Sequence, residues 1–374
     1  MQNQNTSTAL LLCGCLGLLV GAYGIYEALS QGMGTTTLSS TVPWGLGVVT
    51  YLYFLGLSGG GLLIALLTTV VRKKQFEAFS GVAAWAVLAT EIAAGIAIAT
   101  DLGHWERVYR FIFSPNLQSP MAWMLVFFTA VLLIYCVKIL ALRAGNMARV
   151  HTLTLWSIPV ALLFYTINGY IFGMISAQPM WSGAFIPVWF VLAALLSGGA
   201  LVGVLGWVHK FNDGLMQEYG RVLLTLLITF VVFETLYLLF AFQGGDAETT
   251  QALHNLLWGS GSLIFWGLHI IPGTLLPISL LVRAKTAAQV GGSALLVVLT
   301  FIALRWSFVI PVQGVEPIEG LANAFHHARL AYAYSPSLDE WLITIFVSSL
   351  CLVTLLIGPR LFPILFSEQG EQHA

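Results

Sequence analysis

Ionisable side chains in and beside long apolar stretches are the residues of this sequence best suited to chemistry. We single out Glu91, Glu234, His269 and Arg305 inside such stretches, and Asp101, His104 and His254 at their ends. An ionisable group at membrane depth is costly to bury and needs a partner or a function. The set is typical of a proton route or a ligand site, and a structural ion pair such as Glu234 with Arg305 is the alternative.

The composition indicates that the apolar stretches are membrane spans. The chain has 374 residues, of which 58% are hydrophobic and only 8% are charged. Soluble domains carry about 25% charged residues. Because period-two barrel alternation is absent, each stretch long enough to cross about 30 Å of hydrocarbon must be a helix. The sequence predicts an all-α polytopic protein with a single integral membrane domain, 1–374, and ten transmembrane helices, near residues 9–29, 44–71, 78–100, 120–142, 152–176, 184–206, 222–243, 253–282, 289–310 and 339–362.

The distribution of Lys and Arg predicts the orientation of these helices, because both residues are retained on the cytoplasmic side. Most of the fifteen fall in the loops after even-numbered helices or near the C-terminus, and Arg107, Arg110 and Arg329 fall on the opposite side. We therefore predict a multi-pass protein of a bacterial inner (cytoplasmic) membrane, in contact with lipid, with both termini cytoplasmic. The two longest connections, 101–119 and 311–338, then face outward, where a partner protein would dock.

The sequence offers no recognisable ligand set for a redox metal. The four cysteines, Cys13, Cys15, Cys136 and Cys351, lie in apolar stretches without the spacing of an iron–sulfur or zinc site. A haem would need two histidines at similar depth on facing helices, and the usual two-haem ladder is not visible. We expect no haem, iron–sulfur cluster or other metal in this chain, and no nucleic-acid partner.

Five segments occur in an order that points to a known family. They are Pro43-Trp44-Gly45 with 53–61 (YFLGLSGGG), 101–123 (DLGHWERVYRFIFSPNLQSPMAW), Asn168-Gly169 with 178–200, Phe265-Trp266-Gly267 with Pro272 and Pro277, and 334–344 (YSPSLDEWLIT). Together they resemble the polysulfide reductase membrane subunits, or NrfD-like family. The last segment is similar to the ten-helix branch found in hydrogenase and alternative complex III membrane subunits. At the family's Asp-Leu-Gly-Arg-Pro motif, His104 and Trp105 replace Arg and Pro.

The resemblance implies two four-helix bundles with two further helices, and a quinone pocket near the non-cytoplasmic face. It implies partners that hold the redox centres: a periplasmic four-cluster ferredoxin-like iron–sulfur subunit, and a large catalytic subunit of molybdopterin or hydrogenase type. Two quinone-facing positions of polysulfide reductase fall here on Tyr51 and Ile167, with Tyr165 and Tyr170 close to the second.

These observations predict the quinone-reactive membrane subunit of a respiratory oxidoreductase, using menaquinone or ubiquinone without a covalent bond. A quinone reaction moves two electrons and two protons, so the pocket needs polar partners and a proton path. The predicted pocket residues are Tyr51, Asp101, His104, His254 and Arg305, with Tyr165 or Tyr170, and the predicted proton path is Glu91, Glu234 and His269. A secondary transporter of a small solute or ion, with a break at Pro272-Gly273, and a purely structural anchor are the alternatives.

Cysteine labelling tests the predicted orientation. In a variant without the four native cysteines, Ser114→Cys is expected to react with a membrane-impermeant thiol reagent added to right-side-out vesicles. Lys74→Cys is expected to react only after the vesicles are opened, because its loop is rich in Lys and Arg. The reverse pattern would contradict the orientation.

Overall fold

The computed structural model describes residues 2–178, 180–316, 320 and 327–367. Of these residues 81% are helical, and none lies in a β-strand. Ten helices in the described part are long and apolar enough to cross a membrane. The predicted all-α polytopic class is therefore confirmed, and the protein is a multi-pass membrane protein.

Spans 1 to 10, in chain order, are Ser7–Gln31, Leu46–Val70, Lys74–Asp101, Pro120–Arg143, Met147–Gly173, Phe185–Val208, Asp213–Gly244, Ser262–Val282, Ala287–Gln313 and Leu338–Leu361. Several begin at a side chain that caps free backbone N–H groups. Asn146 accepts from Arg149 N, Asn212 from Leu215 N and Thr286 from Gln289 N. Span 10 begins with a capping box, in which Ser337 and Glu340 each accept from the other's backbone N–H.

Several predicted boundaries differ from the structure. Span 7, for example, begins at Asp213 rather than near residue 222. Residues 253–257 do not belong to span 8 but to a separate helix, Ala247–Leu257, capped by Asp246, whose Oδ1 accepts from Thr249 N at 2.6 Å. The chain turns at Gly259 and Gly261 before span 8 begins at Ser262. The apolar composition continues across that turn, which explains why the sequence merged the two helices. The last long connection starts after Gln313 rather than at Pro311, and residues 317–319 and 321–326 lie outside the described part.

The contacts between spans divide most of them into two sets. Spans 2 to 5 form one set of mutual contacts, here called the first helix group, and spans 6 to 9 form another, the second helix group. Span 6 joins the groups by packing against spans 2 and 5, and span 9 also contacts span 2. Spans 1 and 10 pack together beside span 3. A central interface between the two groups results.

Small residues permit the closest approach across that interface. Span 2 changes conformation at Ser58 and Gly59, between the helices Leu46–Leu57 and Gly60–Ala65. At this point Gly59 faces the carbonyl of Ala194, and Gly198 of span 6 faces the backbone of Gly59 and Gly60. A Cβ at Gly198 would collide with the backbone N of Gly60, so only glycine fits. Such contacts are a main source of helix association in membranes.

Span 8 contains an irregular segment where the sequence suggested a break. Residues Phe265–Leu275 form a π-helix that includes Pro272 and continues directly into the helix Leu276–Val282. Thr274 Oγ1 donates to the carbonyl of His269 at 3.1 Å. The segment is wider than an α-helix but does not interrupt the span.

A glycine-to-alanine pair tests the interface between the groups. Gly198→Ala is expected to destabilise the protein by about 1–3 kcal/mol, the usual cost of overpacking, because backbone atoms of span 2 would have to move. Gly292→Ala is the matched control, since a Cβ there meets nothing within 4 Å. Thermal unfolding in detergent measures both. Equal melting temperatures for the two variants would contradict the close approach.

Candidate functional site

A cavity of about 360 Å³ lies among spans 2 to 5. Its walls come from the start of spans 2 and 4 and the end of spans 3 and 5. Val108 and Phe111 of the connection 102–119 also line it. We call this side of the protein the cavity face, and the side of the connection 144–146 the opposite face. Ligand pockets in proteins measure about 300–1,000 Å³ and are mostly apolar with a few polar groups. The walls here are mainly apolar, and the polar side chains among them are those of Tyr51, Asp101 and Asn168.

Tyr51 and Asn168 form a hydrogen-bonded pair in the cavity wall. Tyr51 Oη donates to Asn168 Oδ1 at 2.6 Å, and Asn168 Nδ2 donates to the carbonyl of Phe164 at 2.8 Å. The amide is therefore held with its oxygen toward Tyr51. The phenol oxygen of Tyr51 keeps acceptor capacity, and Asn168 keeps one N–H. The pair offers both an acceptor and a donor to a ligand.

Asp101 ends span 3 at the rim of the cavity. Its carboxylate fills the space beside Gly47 of span 2 that a Cβ would take. Nearby, Tyr334 Oη accepts from the backbone N of Leu46 at 2.7 Å and donates to Glu340 of span 10. The pKa of Tyr334 is raised well above its ordinary value, mainly by burial and secondly by the hydrogen bond to Glu340. Tyr334 therefore remains a neutral donor and fixes the first turn of span 2.

Aromatic rings close the cavity on the side of the second helix group. Trp44 stacks on Trp181 at 5.1 Å between ring centroids and meets Phe172 edge-on at 4.7 Å. The backbone of Trp44 is held by Gln313, whose Oε1 accepts from Trp44 N at 3.1 Å and whose Nε2 donates to Trp44 O at 2.8 Å. Both Trp44 and Phe172 line the cavity.

His104 lies in solvent, outside the cavity lining. Its side chain is 61% exposed, and its Nδ1 lies 2.9 Å from Glu106 Oε1. The pKa of Glu106 is below its ordinary value, first because of a backbone hydrogen bond and then because of His104. Tyr51 and Asp101 therefore line the same cavity, whereas His104 lies on the surface.

The remaining predicted pocket residues lie elsewhere. His254 lies on the separate helix Ala247–Leu257, where its side chain is exposed and packs near the ring of Trp258. Tyr170 is 51% exposed. Tyr165 is buried, with its hydroxyl 2.7 Å from Ser58 Oγ. Arg305 is fully buried, and its guanidinium lies 5.0–5.2 Å from the rings of Trp189, Phe190 and Phe301.

The three residues of the predicted proton path separate into two sites. His269 Nε2 and Glu234 Oε2 lie 3.3 Å apart in the second helix group. Glu91 lies in the first group, fully buried, with no hydrogen-bond partner for either oxygen among the described residues. The ion pair Glu234–Arg305, considered from the sequence, does not form: Glu234 faces His269.

Asn168 is the cavity residue that sequence reasoning missed. The sequence marks it only as part of a family segment, because the predicted pocket was assembled from ionisable groups and tyrosines. A side-chain amide inside an apolar span needs a hydrogen-bond partner, as an ionisable group does. The sequence therefore contained a signal that could have identified Asn168. Within the described residues, no three His, Cys, Asp or Glu side chains lie close enough to hold a metal ion.

The fold and the cavity define a class: an all-helical, multi-pass membrane protein with a ligand-sized cavity at one membrane face. Residues 34–316 match the family model described as "Polysulphide reductase, NrfD". The chain belongs to the NrfD polysulphide reductase family.

Three relatives resemble the chain over nearly its whole length. A selenate reductase subunit of Mesobacillus selenatarsenatis is 29% identical, over 95% of this chain and 93% of that protein. A putative dimethyl sulfoxide reductase membrane subunit of Halobacterium salinarum is 26% identical, over 93% and 89%. The Hdr-like menaquinol oxidoreductase integral membrane subunit of Archaeoglobus fulgidus is 26% identical, over 94% and 93%.

Proposed function

We propose that this chain is the quinone-reactive membrane subunit of a respiratory oxidoreductase, and that the quinone binds in the cavity of spans 2 to 5. The supporting observation is the cavity itself, which combines apolar walls with Tyr51, Asp101 and Asn168. A quinone has an apolar ring and two carbonyl oxygens, so it needs this combination. The relatives named as reductase or menaquinol oxidoreductase subunits support the same class of function.

The polar groups have distinct roles in this proposal. The Tyr51–Asn168 pair binds one oxygen of the ring, through the free acceptor capacity of the phenol and the remaining amide N–H. Asp101 at the rim binds the other oxygen and exchanges its proton. Trp44 and Phe172 pack on the ring. Apolar packing of this kind excludes water from the reacting oxygens.

Electrons leave or enter through a partner. We place an iron–sulfur subunit against the cavity face, with a large catalytic subunit of molybdopterin type behind it, because the relatives are named as subunits of reductases. Lys and Arg predominate in the loops of the opposite face, so the cavity face is outward and both termini are cytoplasmic in this proposal. The quinone is menaquinone or ubiquinone.

Conservative substitutions test the pocket. Asp101→Asn and Tyr51→Phe are expected to lower quinol-dependent electron transfer by about 10²-fold, the usual contribution of one acid–base group. Tyr53→Phe is the matched control, because Tyr53 lies on the same span but bonds the carbonyl of Val298 at 3.1 Å, away from the cavity.

The measurement is quinol-dependent reduction of an artificial electron acceptor by the purified complex, together with quenching of tryptophan fluorescence by a quinone analogue. Wild-type rates and quenching in both pocket variants would refute the pocket. A purified complex that neither binds quinone nor contains iron would refute the function.

A further inference from the structure

Buried polar side chains continue from the cavity into the first helix group, beyond the quinone pocket. Ordered from the cavity toward the opposite face by their positions along spans 2 to 5, they are Tyr51 and Asn168, then Tyr165 and Ser58, then Glu91, then Tyr135 and Ser157, and finally Lys138. All eight are buried. We call them the polar column.

The upper part of the column is linked through two helices. Tyr165 and Asn168 are three residues apart on span 5 and so share one face of that helix. Tyr51 and Ser58 are seven residues apart on span 2, which is two helical turns, so they also share a face. Two hydrogen bonds join span 2 to span 5: one between Tyr51 and Asn168 at 2.6 Å, and one between Ser58 and Tyr165 at 2.7 Å.

Glu91 occupies the middle of the column. Both of its carboxylate oxygens are buried, and neither has a hydrogen-bond partner among the described residues. Val87, one helical turn from Glu91 on span 3, and the hydroxyl of Tyr135 both pack against Gly61. A carboxylate in such a place is costly without a cation, water or a proton. Glu91 is therefore suited to take up and release a proton.

The lower part leads away from the cavity. The hydroxyl of Tyr135 on span 4 packs against Gly61 and has no hydrogen-bond partner in the described structure. Lys138, one turn closer to the opposite face, is 2% exposed, and its Nζ lies 5.5 Å from the centroid of the Tyr135 ring. Unsatisfied buried oxygens of this kind are sites where water completes a hydrogen-bonded chain.

We propose that Glu91 passes protons along the polar column between the quinone pocket and the opposite face. This rests on the proposed quinone reaction. Oxidation of the quinol breaks two O–H bonds, sends two electrons to the iron–sulfur partner and releases two protons, and reduction of the quinone reverses each change. The column exchanges these protons with the aqueous phase on the far side of the membrane. The Glu234–His269 pair belongs to the second helix group and is not part of this route.

Reconstituted complex tests the route. The complete complex is placed in liposomes with its cavity face outward, and a trapped pH indicator reports internal protons during quinol turnover. Glu91→Gln is expected to lower the internal proton change per quinol by about ten-fold or more, and Glu91→Asp to restore part of it. If Glu91→Gln does not fold, Tyr135→Phe, which keeps the ring, takes its place. It is also expected to lower the internal proton change per quinol.

Thr90→Val is the matched control. Thr90 is fully buried next to Glu91, but its hydroxyl bonds only to the carbonyls of Ala86 and Val87 in its own helix, at 2.7 and 3.2 Å. The variant is expected to keep the wild-type proton change.

Three results would overturn the route: a wild-type proton ratio in Glu91→Gln, no internal pH change during wild-type turnover, or loss of the change in Glu234→Gln but not in Glu91→Gln. Quinone binding is measured in parallel by fluorescence quenching. Failure of the wild type to bind quinone refutes the proposed function, whereas normal binding with normal proton exchange in Glu91→Gln refutes only the route.

Discussion

The cost of an unsatisfied polar group in an apolar medium governs this structure. A membrane span satisfies its backbone internally, but each polar side chain needs a partner in its own helix or on another span. Tyr51 finds Asn168, Ser58 finds Tyr165, and Glu234 faces His269. These pairs fix how the helices are rotated against one another. Glu91 in the first group and Arg305 in the second differ from these pairs, because in the described part of the chain none of their side-chain polar atoms has a hydrogen-bond partner.

Close packing makes these pairs possible. Span 2 contributes to the cavity through Tyr51 and to the deeper hydroxyl pair through Ser58, and it is held against span 6 by the glycine contacts at Gly59 and Gly198. At the other end, Tyr334 and Glu340 fix its first turn. One helix therefore links the interface between the groups, the cavity and span 10.

The family and the site support each other at different levels. Membership in the NrfD family rests on residues 34–316, and it limits the plausible functions to those of a membrane subunit. The cavity adds a location and a set of polar groups. Every span that lines it belongs to the first helix group, whereas Arg305 and the Glu234–His269 pair lie in the second. The two groups therefore differ in chemistry although both are built from four spans.

The sequence determined the class of the protein, because hydropathy and helix length depend only on local composition. It predicted ten spans and singled out Tyr51, Asp101 and Glu91 as candidate functional residues. It could not determine which polar residues meet, since contacts between spans depend on how each helix is rotated and how closely it packs. Only the tertiary structure joined Asn168 to Tyr51, moved His254 to a separate helix and paired Glu234 with His269 rather than with Arg305.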